Sequence, residues 1–215
     1  MVAEHIRILG LREELAPELA ARGFEASHEH LLWARSIDRG LLTLVLSFSP
    51  DDAEGGWLEP FIGLIDGEVE SMLSGFLNAP VTYGLRHTLI IGSTRWPEGA
   101  LPRQPVHEHA EVLEAVNTAL RWWDARLPHI TATYGGCNER RRKALHELFN
   151  TEHVNAARVL PHELHRSMRG LAVAKLIDSE QVTATYDFHR NRLQDTGYWD
   201  IYGEQIRAFA TSLLS

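Results

Sequence analysis

The chain has 215 residues and a formal net charge of −8, with 44% apolar and 23% charged residues. That balance fits a soluble globular chain with enough apolar residues for a sizeable core, and it excludes a disordered or fibrous one. One cysteine, Cys137, excludes an intramolecular disulfide and a Cys-rich zinc site.

Taken in order, residues 4–22 carry Ile8, Leu11, Leu15 and Leu19 at helical spacing. Pro17 predicts a kink or a late helix start, Gly23 a C′ residue, and Phe24 a hydrophobic clasp behind it. Strands are predicted at about 30–37 and 41–48, joined by Asp38-Arg39-Gly40, with Gly40 taking positive φ. This hairpin is the expected centre of the sheet. Residues 57–66 read as a third strand, at an edge or bulged because of Pro60. Residues 67–84 fit either a short helix or a wandering strand, and 85–92 fit a fourth strand.

Residues 105–127 predict a long helix that starts with Pro105 at N1 and is stopped by Pro128. Its inward stripe includes Leu113, Val116, Leu120 and Trp123, which leaves Trp122 at the flank. Further helices are predicted at 139–149 capped by Asn138, at 161–177, at 180–194 capped by Ser179, and at 198–214. The fold class is therefore α+β: an N-terminal helix, an antiparallel sheet of about four strands, a long covering helix and a helical C-terminal half. One domain spans 1–215, divisible near 130 into a sheet part and a helical part.

Charge is unevenly spread. Residues 40–85 contain no Lys or Arg, yet they hold Asp51, Asp52, Glu54, Glu59, Asp66, Glu68 and Glu70. An acidic surface there would repel nucleic acid and attract a basic protein partner, with Trp57 and Phe61 as apolar anchors. The competing reading is a solvated face that only aids solubility. The N-terminal residues lack the apolar core of a signal peptide, and no run is long enough to cross a membrane, so the expected location is cytoplasmic. The preference for Arg over Lys suggests a GC-rich bacterial genome.

Motifs for chemistry are sparse. His107 and His109 point to different sides of a helix, while His162 and His165 could share a face. No zinc-type spacing occurs, and neither a metal nor a cofactor is expected. Cys137 precedes a helix, but no local signature supplies it with a base. The same segment has a second reading. Gly135, Gly136 and Asn138, followed by Arg140 and Arg141, could hold a phosphate-type anion at a helix N-terminus. The competing reading is a solvated face whose arginines pair with the acidic half.

Gly23-Phe24, then Trp33 and Arg35, then the alternating strand Leu42–Phe48, resemble a family of small uncharacterised bacterial domains. Leu127-Pro128 closes a later helix in a similar way, and the likeness covers about 5–130. Such domains look like the immunity proteins of bacterial toxin systems. The resemblance implies a non-catalytic protein that binds and neutralises a toxin, with no catalytic residues. The alternative is a ligand-binding protein or enzyme using the anion site near 135–143.

Overall fold

A computed structural model describes residues 2–27, 31–50, 55–77, 87–93, 101–150 and 163–215, without the side chains of 2–9 and of His109. Six strands form one antiparallel sheet: β1 (Glu25–Ala26), β2 (Leu32–Ile37), β3 (Gly40–Pro50), β4 (Gly56–Asp66), β5 (Leu89–Gly92) and β6 (Gln104–Pro105). The order is β1-β2-β3-β4-β5, and β6 also pairs with β4. The helices are α1 (Val2–Ala20), α2 (Gly67–Leu73), α3 (His109–Tyr134), α4 (Asn138–Phe149), α5 (Glu163–Ile177), α6 (Gln181–Asp195) and α7 (Trp199–Leu214). The architecture is α+β with a helical C-terminal half.

The β2–β3 hairpin forms as its alternation requires, with Ile37 opposite Gly40 and Leu32 opposite Val45. The positive φ belongs to Arg39 (51°) rather than to Gly40. Gly40 is needed for a different reason: a Cβ there would lie 2.3 Å from the Ile65 carbonyl oxygen of β4. β4 is interior, not an edge. Pro60 is tolerated because β6 pairs with Trp57 and Leu58 and β5 with Phe61–Leu64, which leaves Pro60 between the two partners on that side.

Directly paired residues share a sheet face. Trp33, Leu42, Leu44, Leu46, Leu58, Ile62, Leu64, Leu89 and Ile91 make one face. They join a core with Leu11, Leu15 and Leu19 of α1 and with Trp122, Trp123 and Ile130 of α3. Arg35, on this same face, donates to the Arg22 carbonyl oxygen and to Thr131 Oγ1 of α3. It also lies 4.8 Å from the centre of the Phe24 ring. Gly23 takes φ 77°, as a C′ glycine does, and Phe24 is buried behind it.

Helix boundaries correct several expectations. Pro105 lies in β6, and α3 starts after Glu108, which forms a capping box with Glu111. The two amides that bond to the Glu111 carboxylate hold it below the usual carboxylate range. Pro128 does not stop α3, which continues to Tyr134. Pro128 is exposed, so the carbonyl it leaves unbonded meets water, and Ile130 beyond it is buried in the core. Trp122 is buried along with Trp123, whose indole donates to the Phe61 carbonyl oxygen at 3.0 Å. Leu113 is 37% exposed and does not pack on the sheet. The N-cap of α4 is Cys137 rather than Asn138, and α6 starts after Glu180 rather than Ser179.

α5 is the axis of the helical half. Every residue from Leu164 to Ala174 is buried, because α2, α4, α6 and α7 surround it. The polar side chains this encloses — His165, Arg166, Ser167 and Arg169 — must find partners inside the protein.

Candidate functional site

The acidic residues of β4 and α2 do not form an open surface. Asp66 is fully buried at the end of β4, and its Oδ1 caps α2 by accepting from the Glu68 and Val69 amides. Its Oδ2 accepts from Arg141 Nε at 2.9 Å. Glu70 accepts from Arg169 Nε and Nη2 at 3.0 and 2.9 Å, and from Thr88 Oγ1 at 2.8 Å. Glu68 pairs with Arg39 at 2.9 Å and with Arg142. Glu59, also buried, pairs with Arg103 at 3.0 Å. The described carboxylates of the arginine-free segment are thus matched by arginines from before and after it. Asp51, Asp52 and Glu54 lie outside the described residues.

The 135–143 segment divides the same way. Arg141 is fully buried, and its guanidinium also donates to the Asp38 and Gly136 carbonyl oxygens and to Asn138 Oδ1. It is spent on the hairpin turn and the end of β4, which removes Arg141 and Asn138 from the expected anion site. Arg140 is exposed, and Gly135 ends α3 as its C-cap. Beside α4 lies a groove of about 490 Å³ lined by Asp38, Arg39, Glu139, Arg142, Lys143 and Leu176, among others. Its three cations face carboxylates: Lys143 pairs with Glu139, and Arg39 and Arg142 share Glu68. With Asp38 on its wall, the groove carries no excess of positive charge.

α5 and α6 enclose an arrangement with the outline of a catalytic triad. His189 Nε2 donates to Asn150 Oδ1 at 2.8 Å, and Ser167 Oγ lies 3.2 Å from Nδ1. Nδ1 is therefore the acceptor of the Ser167 hydroxyl proton. Ser167 and His189 both have no exposed surface. Burial, with Arg166 and Arg192 nearby, pushes His189 down to about 3. A sealed imidazole with that pKa has neither access to substrate nor the basicity to activate a serine at neutral pH. The contact is a packing device. Gly170 makes room for it, since a Cβ there would lie 2.3 Å from Asn150 Oδ1 and 2.6 Å from His189 Nε2.

Among the described residues, no three His, Cys, Asp or Glu side chains gather to hold a metal. His162 lies outside the described residues, while His165 is buried with Nδ1 3.1 Å from Arg169 Nη1. Cys137 is exposed.

The second sheet face is different in kind. Trp57, Phe61 and Ile65 share this face of β4 with the buried Glu59 and with Gly63, against which His87 packs while bonded to Thr43, and Leu41 of β3 stands opposite Ile65. Trp57 is 40% exposed and Leu41 36%, with Phe61 and Ile65 partly exposed between them. α1, α3 and α4 lie on the other face, as the bonds of Arg35 and of Arg141 to Asp66 require. This apolar row was legible only at Trp57 and Phe61. Leu41 and Ile65 join it through strand register. No helix among the described residues is long and apolar enough to cross a membrane. No protein-family model, curated protein or solved structure matches the chain.

Proposed function

We propose that this chain is a non-catalytic binding protein of the immunity type, which covers a basic toxin of the bacterium that makes it. The observation that carries the reading is the apolar row Trp57–Phe61–Ile65 with Leu41, on the sheet face away from α1, α3 and α4. Large aromatic side chains left exposed on a strand suit the core of a protein interface. In sequence the row follows directly on Asp51, Asp52 and Glu54. Because Glu59, Asp66, Glu68 and Glu70 are matched by internal arginines, charge attraction falls to those three. They would steer the partner, and the apolar row would hold it.

The test is to isolate the chain with its partner from its source cell, identify that partner, and express it alone and together with the chain. The expected result is a basic protein that arrests growth alone and does not when the chain is present. Trp57→Ala should weaken protection through faster dissociation. Asp51, Asp52 and Glu54 changed to Lys should slow association. A partner without toxicity, or protection that survives both variants, rejects the reading.

A further inference from the structure

Helix α7 is buried along one side only. Ile206, Phe209 and Leu213 pack into the core, and the Trp199 ring covers Gly203, where a Cβ would come within 2.6 Å of it. The opposite side faces outward along its length. Ile201 keeps 66% of its surface exposed and Tyr198 43%, and Ala208, Thr211 and Ser212 are exposed beyond them. Tyr198 precedes the helix but keeps helical backbone angles (φ −86°, ψ −7°). Its ring stacks on that of Tyr202, with centres 6.0 Å apart, which holds the apolar end of the face in place.

Size and charge both run in one direction along this face. Tyr198, Ile201, Gln205, Ala208 and Ser212 follow one another at intervals of three, four, three and four, a single stripe down the helix. The stripe is large in its first half and small in its second, with Gln205 at the middle. Beside it, Asp200 and Glu204 fall in the first half and Arg207 just past the middle. All three are exposed, and no ion pair among the described residues uses them. Arg207 lies only against the Trp199 ring, 5.9 Å from its centre. Such a face fits an antiparallel copy of itself. Turned about a two-fold axis near Gln205, Ile201 of each chain meets Ala208 of the other, and Tyr198 meets Ser212. Asp200 and Glu204 then meet Arg207 across the axis. A parallel copy would set large against large and acid against acid.

We propose that two copies of this chain associate through α7, packed antiparallel about Gln205. One helix pair buries less than the roughly 800 Å² per partner of a standard interface, so the dimer is weak and depends on concentration. α7 packs mainly on α5 and α6, away from the sheet face that carries Trp57, and the dimer does not depend on the toxin reading.

The test is sedimentation equilibrium of the full chain over the micromolar to millimolar range, with circular dichroism to show that each variant keeps its helices. The parent should pass from monomer to dimer, with no larger species. Ala208→Glu, at an exposed position, should weaken the dimer at least tenfold. Arg207→Glu and Glu204→Arg should each do the same alone, because each sets like charges across the axis. An equimolar mixture of those two variants restores opposite charges at both contacts and should recover the parent's association. Trp57→Ala should leave it unchanged. A parent that stays monomeric throughout, a dimer indifferent to Arg207→Glu, a mixture that does not recover, or a dimer lost in Trp57→Ala overturns the proposal.

Discussion

Asp66 Oδ2 and Arg141 Nε meet at 2.9 Å with no exposed side-chain surface on either residue, across 75 positions of sequence. A buried pair of this kind stabilises little relative to an apolar pair, yet removing one partner strands the other charge. Arg141→Met should therefore cost roughly 3–5 kcal/mol. Asp66→Asn, which keeps an oxygen for the α2 amides, should cost less. The double variant should be more stable than the sum of the two losses implies, as measured by urea denaturation at pH 7. Strict additivity would mean that the two residues act independently.

His189 sets an acid limit. It is neutral in the folded protein, with its pKa pushed from 6.5 down to about 3. The unfolded chain takes up a proton below about pH 6.5, and the folded chain does not until far lower. Stability from this group is therefore complete above that pH and falls as pH drops. The full loss approaches roughly 4 kcal/mol near pH 3. His189→Gln has a lower stability at pH 7.5 and a shallower decline between pH 7 and pH 4. Denaturant midpoints across that range check it, and parallel declines in both proteins would remove His189 as the cause.

Two glycine-to-alanine changes should have opposite signs. Gly10 in α1 has nothing within 4 Å of an added Cβ, so alanine gains helix propensity of about 0.5–1 kcal/mol. Gly170 in α5 has Asn150 and His189 in the way, so alanine should cost about 1–3 kcal/mol despite the same propensity. Thermal unfolding of the two variants beside the parent decides this, and a stabilised Gly170→Ala would mean that the α5–α6 contact is not tight.

Periodicity in the sequence was a sound guide where one element decides its own face. Leu11, Leu15 and Leu19 of α1, Leu42, Leu44 and Leu46 of β3, and Ile206, Phe209 and Leu213 of α7 are all buried as spaced, although β3 also buries Thr43 and Val45 on its other face and leaves Phe48 partly exposed. It was a poor guide where a neighbour decides. Leu113 has the same spacing as Leu120 but stays 37% exposed at the groove between α1 and α3. Arg140, Arg141 and Arg142 read alike in sequence, but each step turns about 100° around the helix. Arg140 is therefore exposed, Arg141 is buried on Asp66, and Arg142 reaches Glu68. Nothing local in His165-Arg166-Ser167-Met168-Arg169 marks a buried run, since its burial comes from four other helices. The signal that was present was global: of the seven carboxylates in the cation-free segment 40–85, Glu59, Asp66, Glu68 and Glu70 meet arginines from elsewhere in the chain.

Those distant arginines also impose an order on synthesis. Asp66 is made 75 residues before Arg141, and Glu70 is made 99 residues before Arg169. At ordinary elongation rates this is a wait of roughly 4–20 s. During it, the carboxylates at the end of β4 and on α2 have no guanidinium to meet in the helical half. Water must keep them solvated, so the last strand residues and α2 cannot take their buried positions. The nascent sheet is therefore provisional at that corner, and a ribosome paused before Arg141 would hold a chain that proteases can still open there.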